Sequence, residues 1–298
     1  MIRICIEPNT FEITSAQHGQ NPYIDIEYPV VKKTAKIQHN ALTKSFSSPV
    51  YVYKILSHHT IHLPDVVFVA NGGLSLPRLP TPHVLLPYMK YPQRKKELQY
   101  LKALFKDLDI RTISFPVSDS APFEGQAELK WFHNGTLAVG GYGFRSTKKS
   151  FDILETLLIR IYKKYGIVPP KILALPLESD SYYHLDVAML EYDDSKCIVH
   201  KRAFSKKSIQ ALEEFLGKGN VSVLDTEDSF CLNSVVDGEH LLTHTLSDPA
   251  VKGFLEGKTG LDVKQIDTSV FEKSGGSVRC MTLDIYPGMS GMSAMATE

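Results

Sequence analysis

Short β-branched or aromatic runs alternate with amphipathic helical stretches from one end of this chain to the other. The pattern of strands, helix, strand returns about every 40–60 residues, with no Gly-, Ser- or Pro-rich linker between successive units. Strand-like runs fall at residues 2–6, 65–70, 111–116, 136–142, 171–175, 187–192, 196–202, 221–224 and 280–285. Helical periodicity is clear over 93–108, where Leu98, Leu101, Phe105 and Leu108 share a face. It recurs over 151–165 through Leu154, Leu158, Ile161 and Tyr165, with Ser150 as the expected N-cap. Weaker helical repeats span 205–216 and 248–255, while 43–61 is ambiguous because Pro49 interrupts it. The run Trp131-Phe132-His133-Asn134-Gly135-Thr136-Leu137 signals a hairpin, since Asn-Gly tolerates the positive φ of a type I′ turn. These features predict one α/β domain with internal pseudo-repeats over residues 1–286. Residues 287–298, small and carrying Pro287, Met289, Met292 and Met295, are expected to form a flexible tail.

Charge narrows the partners. Lysine plus arginine number 33 and aspartate plus glutamate 33, so no net field draws in nucleic acid or an acidic membrane. Arg94-Lys95-Lys96 and Lys206-Lys207 read as solvated helix starts. No apolar run reaches the roughly 18–20 residues of a membrane helix. The N-terminus passes directly to Glu7 and Pro8 without the pattern of a secretory leader. Cys5, Cys197, Cys231 and Cys280 stand far apart with no CxxC spacing, which argues against a zinc knuckle or a disulfide framework. The expectation is a soluble, reduced, cytoplasmic protein.

Cys280 carries the chemistry that the rest of the sequence can support. It follows Ser274-Gly275-Gly276-Ser277-Val278-Arg279, and a glycine pair lets backbone amides close on a ligand beside the sulfur. Four other segments bring groups to strand ends and tight turns. Residues 64–74 deliver Asn71 to a glycine turn. Ala121-Pro122-Phe123-Glu124-Gly125 sets a carboxylate in a loop. Gly140-Gly141-Tyr142-Gly143-Phe144-Arg145 presents a guanidinium. In Tyr182-Tyr183-His184-Leu185-Asp186, alternation along an extended chain would put His184 and Asp186 on one face. A histidine and a carboxylate available to a glycine-set cysteine are the parts of nucleophilic catalysis. Zinc hydrolysis through His184 and Asp186 is disfavoured, because no third ligand motif such as HExxH accompanies them.

Taken in order, these segments resemble the pentein superfamily of guanidine-modifying enzymes. It includes arginine deiminases, dimethylarginine dimethylaminohydrolases, amidinotransferases and arginine dihydrolases. Phe123-Glu124-Gly125 is similar to the family's catalytic-acid loop, His184-Leu185-Asp186 to its histidine motif, and Gly275–Thr282 to its nucleophile loop. The resemblance implies a five-bladed, pseudo-fivefold α/β propeller of ββαβ repeats with the site in a central channel. It implies Cys280, His184 and Glu124 as catalytic residues: Cys280 the nucleophile, His184 the acid and then the base, Glu124 orienting His184 or accepting a guanidinium N–H. Asp186 would pair with the guanidinium and Arg145 with the substrate's α-carboxylate. No cofactor and no metal are implied. The partner is a small guanidino substrate, arginine or methylated arginine, and a homo-oligomer is compatible with the resemblance.

Asn71 narrows the reaction. Deiminases of this superfamily typically carry aspartate there, whereas Ala70-Asn71-Gly72-Gly73-Leu74 is similar to the motif of arginine and succinylarginine dihydrolases. An amide can donate to the neutral ureido product of one hydrolysis and hold it for a second attack. Asn21-Pro22-Tyr23 resembles a further dihydrolase motif whose asparagine retains the substrate. Two departures stand beside this: His18-Gly19-Gln20 precedes Asn21, and Gln126-Ala127-Glu128 replaces the Gly-Asp ending of many relatives. The leading expectation is hydrolysis of arginine to ornithine, ammonia and carbon dioxide. The alternatives are a single-step deiminase or dimethylarginine hydrolase giving citrulline, and a non-catalytic binding module on the same fold.

Overall fold

The computed structural model describes residues 1–28, 30–55 and 62–289. The end of the ambiguous 43–61 stretch and residues 290–298 of the expected tail lie outside them. Along the chain, β1 (Ile2–Ile6), α1 (Lys32–Ser45) and β2 (Val50–Tyr53) come first. Next are β3 (Leu74–Ser75), β4 (His83–Leu86), α2 (Pro92–Lys95), α3 (Leu98–Asp107) and β5 (Arg111–Ser114). A third group is β6 (Leu129–Phe132), β7 (Leu137–Tyr142), α4 (Lys148–Lys164) and β8 (Lys171–Pro176). Then come α5 (Leu185–Ala188), β9 (Met189–Glu191), β10 (Cys197–His200), α6 (Lys206–Leu216) and β11 (Val221–Leu224). The last are β12 (Val235–Asp237), β13 (His240–His244), α7 (Pro249–Thr259), β14 (Asp262–Ile266), α8 (Ser269–Glu272) and β15 (Leu283–Ile285).

Among the described residues, the strands form five three-stranded sheets of one design. In each, the middle strand pairs antiparallel with one neighbour and parallel with the other, for example β7 with β6 and with β8. A helix fills each parallel crossover, as the connection between parallel strands requires. One unit is closed by both ends of the chain: β15 lies antiparallel to β1, with Ile2 opposite Ile285. The ββαβ repeat that the resemblance implies is therefore present, in a mixed α/β fold.

Each helix buries one stripe. Leu154, Leu158, Ile161 and Tyr162 of α4 pack with Leu129 and Ala138 of the sheet below, each buried leucine contributing about 1.5–3 kcal/mol. Thr147, not Ser150, caps this helix, because Ser150 sits at its third position and completes a reciprocal capping box. Ser205 and Asp248 cap α6 and α7 through their side chains. The stretch 93–108 is two helices, α2 and α3, with Lys96 and Glu97 between them.

A chain of buried ion pairs ties the units together behind Cys280. Arg3 on β1 meets Asp284 at 2.8 Å and Asp237 at 2.9 Å, and Arg279 meets Asp284 at 2.6 Å and Glu191 at 3.3 Å. Lys130, also buried, reaches Glu191 at 2.8 Å. Breaking one member would strand its partner's charge in the interior, at about 3–5 kcal/mol. At the C-terminal end, the Met289 amide donates to the Leu79 carbonyl, so the first residues of the expected tail are held against the domain.

Candidate active site

Two loops meet at glycines that the packing demands. Gly125 has φ +66°, and a Cβ there would lie 2.6 Å from the Gly73 backbone. The absent side chain lets the Gln126 amide donate to the Gly73 carbonyl at 2.9 Å, which brings the Glu124 loop against the Asn71 loop. Residues 65–70 are not the strand read from sequence. They form a turn leading into a 3-10 segment, Val69–Gly72, which points Asn71 inward. Gly275, at φ +92°, serves the same purpose for Asn21, whose amide would sit 2.5 Å from any Cβ there.

Glu124 is fully buried, and its carboxylate is saturated with donors. Oε2 receives N–H from Asn71 Nδ2, His184 Nε2 and Arg145 Nη1, each at 3.0 Å, and Oε1 receives the Lys90 amide at 3.0 Å. Burial opposes its ionisation, but Arg145 and His184 outweigh burial and hold the carboxyl well below the usual range. The charged acceptor fixes the Nε2–H tautomer of His184. Burial pushes the His184 pKa down, which favours the neutral imidazole.

His184 and Asp186 converge, although not by strand alternation. His184 is extended, at φ −127°, and starts the short helix α5, whose first turn carries Asp186. The Cys280 thiol donates to Asp186 Oδ2 at 3.5 Å, while Oδ1 is buried without a partner. Burial, then the Asp186 charge, push the thiol well above its ordinary pKa, and burial also raises Asp186.

Asn233, which the sequence reading passed over, holds Cys280 from behind. Its Nδ2 donates to Sγ at 3.1 Å, and its Oδ1 accepts the Arg279 and Cys280 amides at 3.0 and 3.2 Å. The Gly275 and Gly276 amides do not serve the sulfur. They donate to the Glu272 and Phe271 carbonyls, and the backbone donor that favours the thiolate is Ser277. A lone asparagine in Cys231-Leu232-Asn233-Ser234 gives no signal in one sequence.

These groups surround a cavity of about 20 Å³, room for about one water. Asn21, Asn71, Arg145, His184 and Cys280 line it, whereas Glu124 and Asp186 stand directly behind that lining. Asn21 donates to the Ser274 carbonyl at 3.2 Å. Arg145 lies between the rings of Tyr91 and Tyr183, 4.9 and 4.8 Å from their centroids. Asp65 and Arg94 are lining residues that the sequence reading missed. Asp65 takes a bond from Gln17 and keeps a buried Oδ2 without a partner. Arg94 is not solvated: it is 4% exposed and clamped by both oxygens of Glu97 at 2.9 and 3.0 Å. The wall thus offers carboxyl groups and guanidinium groups together. Among the described residues, no cluster of three His, Cys, Asp or Glu side chains has the geometry of a metal site, and no helix is long and apolar enough to cross a membrane.

No family model matches the chain. Its relatives in sequence and its neighbours in structure nevertheless agree with the resemblance to the pentein superfamily. It is similar to an N(G),N(G)-dimethylarginine dimethylaminohydrolase of Mycobacterium tuberculosis, 27% identical over 271 residues that cover 90% of this chain and 81% of the relative. It is also similar to the bifunctional arginine dihydrolase/ornithine cyclodeaminase ArgZ of Synechocystis, 25% identical over 74% of this chain but only 29% of that protein. Among solved structures, the N-terminal domain of ArgZ, as a cysteine-to-serine variant bound to substrate, superposes with a TM-score of 0.78. That match is at 21% identity and covers 95% of this chain and 97% of the other. A dimethylarginine dimethylaminohydrolase adduct matches with a TM-score of 0.66 at 16% identity over 95% of this chain and 98% of that one.

Proposed function

We propose that this protein hydrolyses the guanidino group of free arginine, in two rounds, to ornithine, ammonia and carbon dioxide. The observation that carries the reading is the convergence of Cys280 and His184 on one cavity whose wall presents an amide, Asn71, beside the donor-saturated Glu124. Asp65 and Asp186 suit a cationic side chain, while Arg94 and Arg145 suit an α-carboxylate, a mixture fitted to a zwitterion with a cationic tail. The lining must part for a ligand of that size.

In this reading the substrate cation supplies what the resting thiol lacks. A guanidinium against Asp186 and Sγ favours the charged form of both, offsetting burial. The thiolate attacks the guanidinium carbon. His184 passes a proton to the departing amine, giving a thiouronium on Cys280, and then takes one from the attacking water. Glu124, bound by four donors, orients the imidazole rather than reaching the substrate. Asn71 spends one N–H on Glu124. With Nε2 of His184 protonated, its second N–H is available to a ureido oxygen. The M. tuberculosis relative favours dimethylarginine hydrolysis as the second reading.

The same proposal includes the finer architecture, five units fanned about a central channel as a propeller, with residues 1–286 as one catalytic domain. A cytoplasmic setting and self-association belong to it as well. The test is incubation of purified protein with arginine, products being resolved by chromatography. Ornithine and ammonia with no standing citrulline are expected. Accumulated citrulline without ornithine overturns the two-round reading, and dimethylamine released from dimethylarginine favours the second.

A further inference from the structure

Cys280 sits in a tight turn of which Asn233 holds only one side. The Ser277 carbonyl closes that turn by accepting the Met281 amide at 3.2 Å, and the Arg279 carbonyl accepts the Thr282 amide at 3.1 Å. Asn233 grips the Arg279 and Cys280 amides. At the other side stands Ser277, whose backbone donor favours the thiolate. Its side chain is fully buried, and its hydroxyl has one partner among the described residues, the Thr268 hydroxyl at 2.8 Å. Thr268, equally buried, donates to Glu272 Oε1 at 2.6 Å. A carboxylate only accepts, so the Thr268 proton is committed there and the Ser277 hydroxyl must donate into Thr268 Oγ1. Both bonds thus have one direction. His244 lies behind them, with Nδ1 3.3 Å from Glu272 Oε1 and Nε2 2.9 Å from Asp228. Thr268 itself is anchored: its carbonyl accepts the Phe271 and Glu272 amides, and the next two residues bond to the buried Gln38 of α1 at 2.9 and 3.1 Å. Neither Thr268 nor Ser277 lines the cavity, and the chemistry described so far gives Thr268 no part.

We propose, resting on the reading of the site above, that Thr268 is a positioning residue for the nucleophile: through Ser277 it holds the backbone amide that stabilises the Cys280 thiolate, while Glu272 and His244 set the direction of the bond. A donor stabilises developing charge only if it is aimed before the charge appears. The loop has little else to aim it. The Gly275 and Gly276 amides are taken by the Glu272 and Phe271 carbonyls, and Tyr183 holds the Gly275 carbonyl, two residues short of Ser277. From Gly275 to Val278, the bond from Ser277 to Thr268 is the one hydrogen bond among the described residues that a side chain of the loop makes. Sγ carries charge when it attacks and again when the C–S bond breaks, so the amide acts on the reacting states. The groups assigned to substrate binding, Asp65, Asp186, Arg94 and Arg145, make no hydrogen bond or ion pair with Thr268, Glu272 or Ser277.

Thr268→Val keeps the shape and removes the hydroxyl. With arginine as substrate, kcat should fall about 10- to 100-fold while KM stays within about twofold of the parent, and Thr268→Ser should restore kcat. Ser277→Ala breaks the same bond from the other side and keeps the amide. It should lose a similar factor, and the double variant no more than either single one. Ser277→Ala also carries the test if Thr268→Val folds poorly. Parent-level kcat in a folded Thr268→Val or Ser277→Ala overturns the inference. So do failure of Thr268→Ser to restore turnover, a rise in KM in step with the loss of kcat, and losses that multiply in the double variant. A parent protein that releases no ammonia from arginine overturns the reading of the site instead.

Discussion

Replacing Asn71 by aspartate puts the account under the sharpest strain, because it changes one atom's worth of chemistry at the point where the two-round reading rests. Asn71 Nδ2 lies 3.0 Å from Glu124 Oε2 and 3.3 Å from His184 Nε2. A carboxyl oxygen in its place would set two anions about 3 Å apart, a repulsion of about 5 kcal/mol at an effective dielectric of 20. The new carboxyl must share a proton with its neighbours or be neutralised by a bound guanidinium. Arginine supplies that cation, so the first hydrolysis survives. The ureido product supplies none, and its carbonyl loses a donor and meets lone pairs. An unmet buried carbonyl costs about 1–3 kcal/mol, which converts to a shift of about 5- to 150-fold in the partition between second attack and release. Asn71→Asp should therefore turn arginine into citrulline that persists, read as the citrulline-to-ornithine ratio over a time course at fixed enzyme. Ornithine in the parent's proportion would refute the reasoning, because the donor would then have no part in retaining the product.

Asn233→Ala removes the donor to Sγ and the acceptor for two backbone amides. Alkylation of Cys280 by iodoacetamide and kcat/KM should both fall about 10- to 100-fold; unchanged thiol reactivity contradicts the role given to Asn233. A second effect is on stability. His244 lies 2.9 Å from Asp228 and 3.3 Å from Glu272. Burial works against its charge, but the two carboxylates outweigh burial and raise it to about 9. A folded value above the unfolded one gives stability that is fully present below about pH 6.5 and lost as pH rises through about 9. Thermal melts should decline across that window in the parent, and His244→Gln should flatten the decline; an equal slope in both refutes the assignment.

The sequence was most legible where local rules act. Strand runs at 2–6, 171–175 and 221–224 and the helix faces of α4 and α6 follow from periodicity alone. The 131–137 hairpin was also readable, with His133, Asn134 and Gly135 all at positive φ, although its loop is longer than a two-residue turn. Tertiary context decided the rest. The apolar run at 65–70 reads as a strand but is buried without a ladder, as a turn and a 3-10 segment. The helix α1 was missed because its buried face, Ala35, Gln38, His39 and Leu42, is half polar. Arg94 looked like a solvated cation since Glu97, its clamp, lies outside the Arg-Lys-Lys run. At the site, Cys280, His184, Glu124, Asn71, Asp186 and Arg145 were nameable because glycines and tight turns flag their segments, and Asn21 only through its resemblance to a dihydrolase motif. Asn233 meets Cys280 across 47 residues of chain, and no spacing rule reports such a meeting.

The central claim is that Cys280 Sγ attacks a guanidinium carbon. The most direct measurement is the intact mass of the protein, acid-quenched during turnover of arginine, followed by peptide mapping. A thiouronium adduct, the substrate less one ammonia, is expected, confined to the peptide bearing Cys280 and abolished in Cys280→Ser together with turnover. Arginine hydrolysis at the parent rate by Cys280→Ser, or an adduct on another residue, would contradict it.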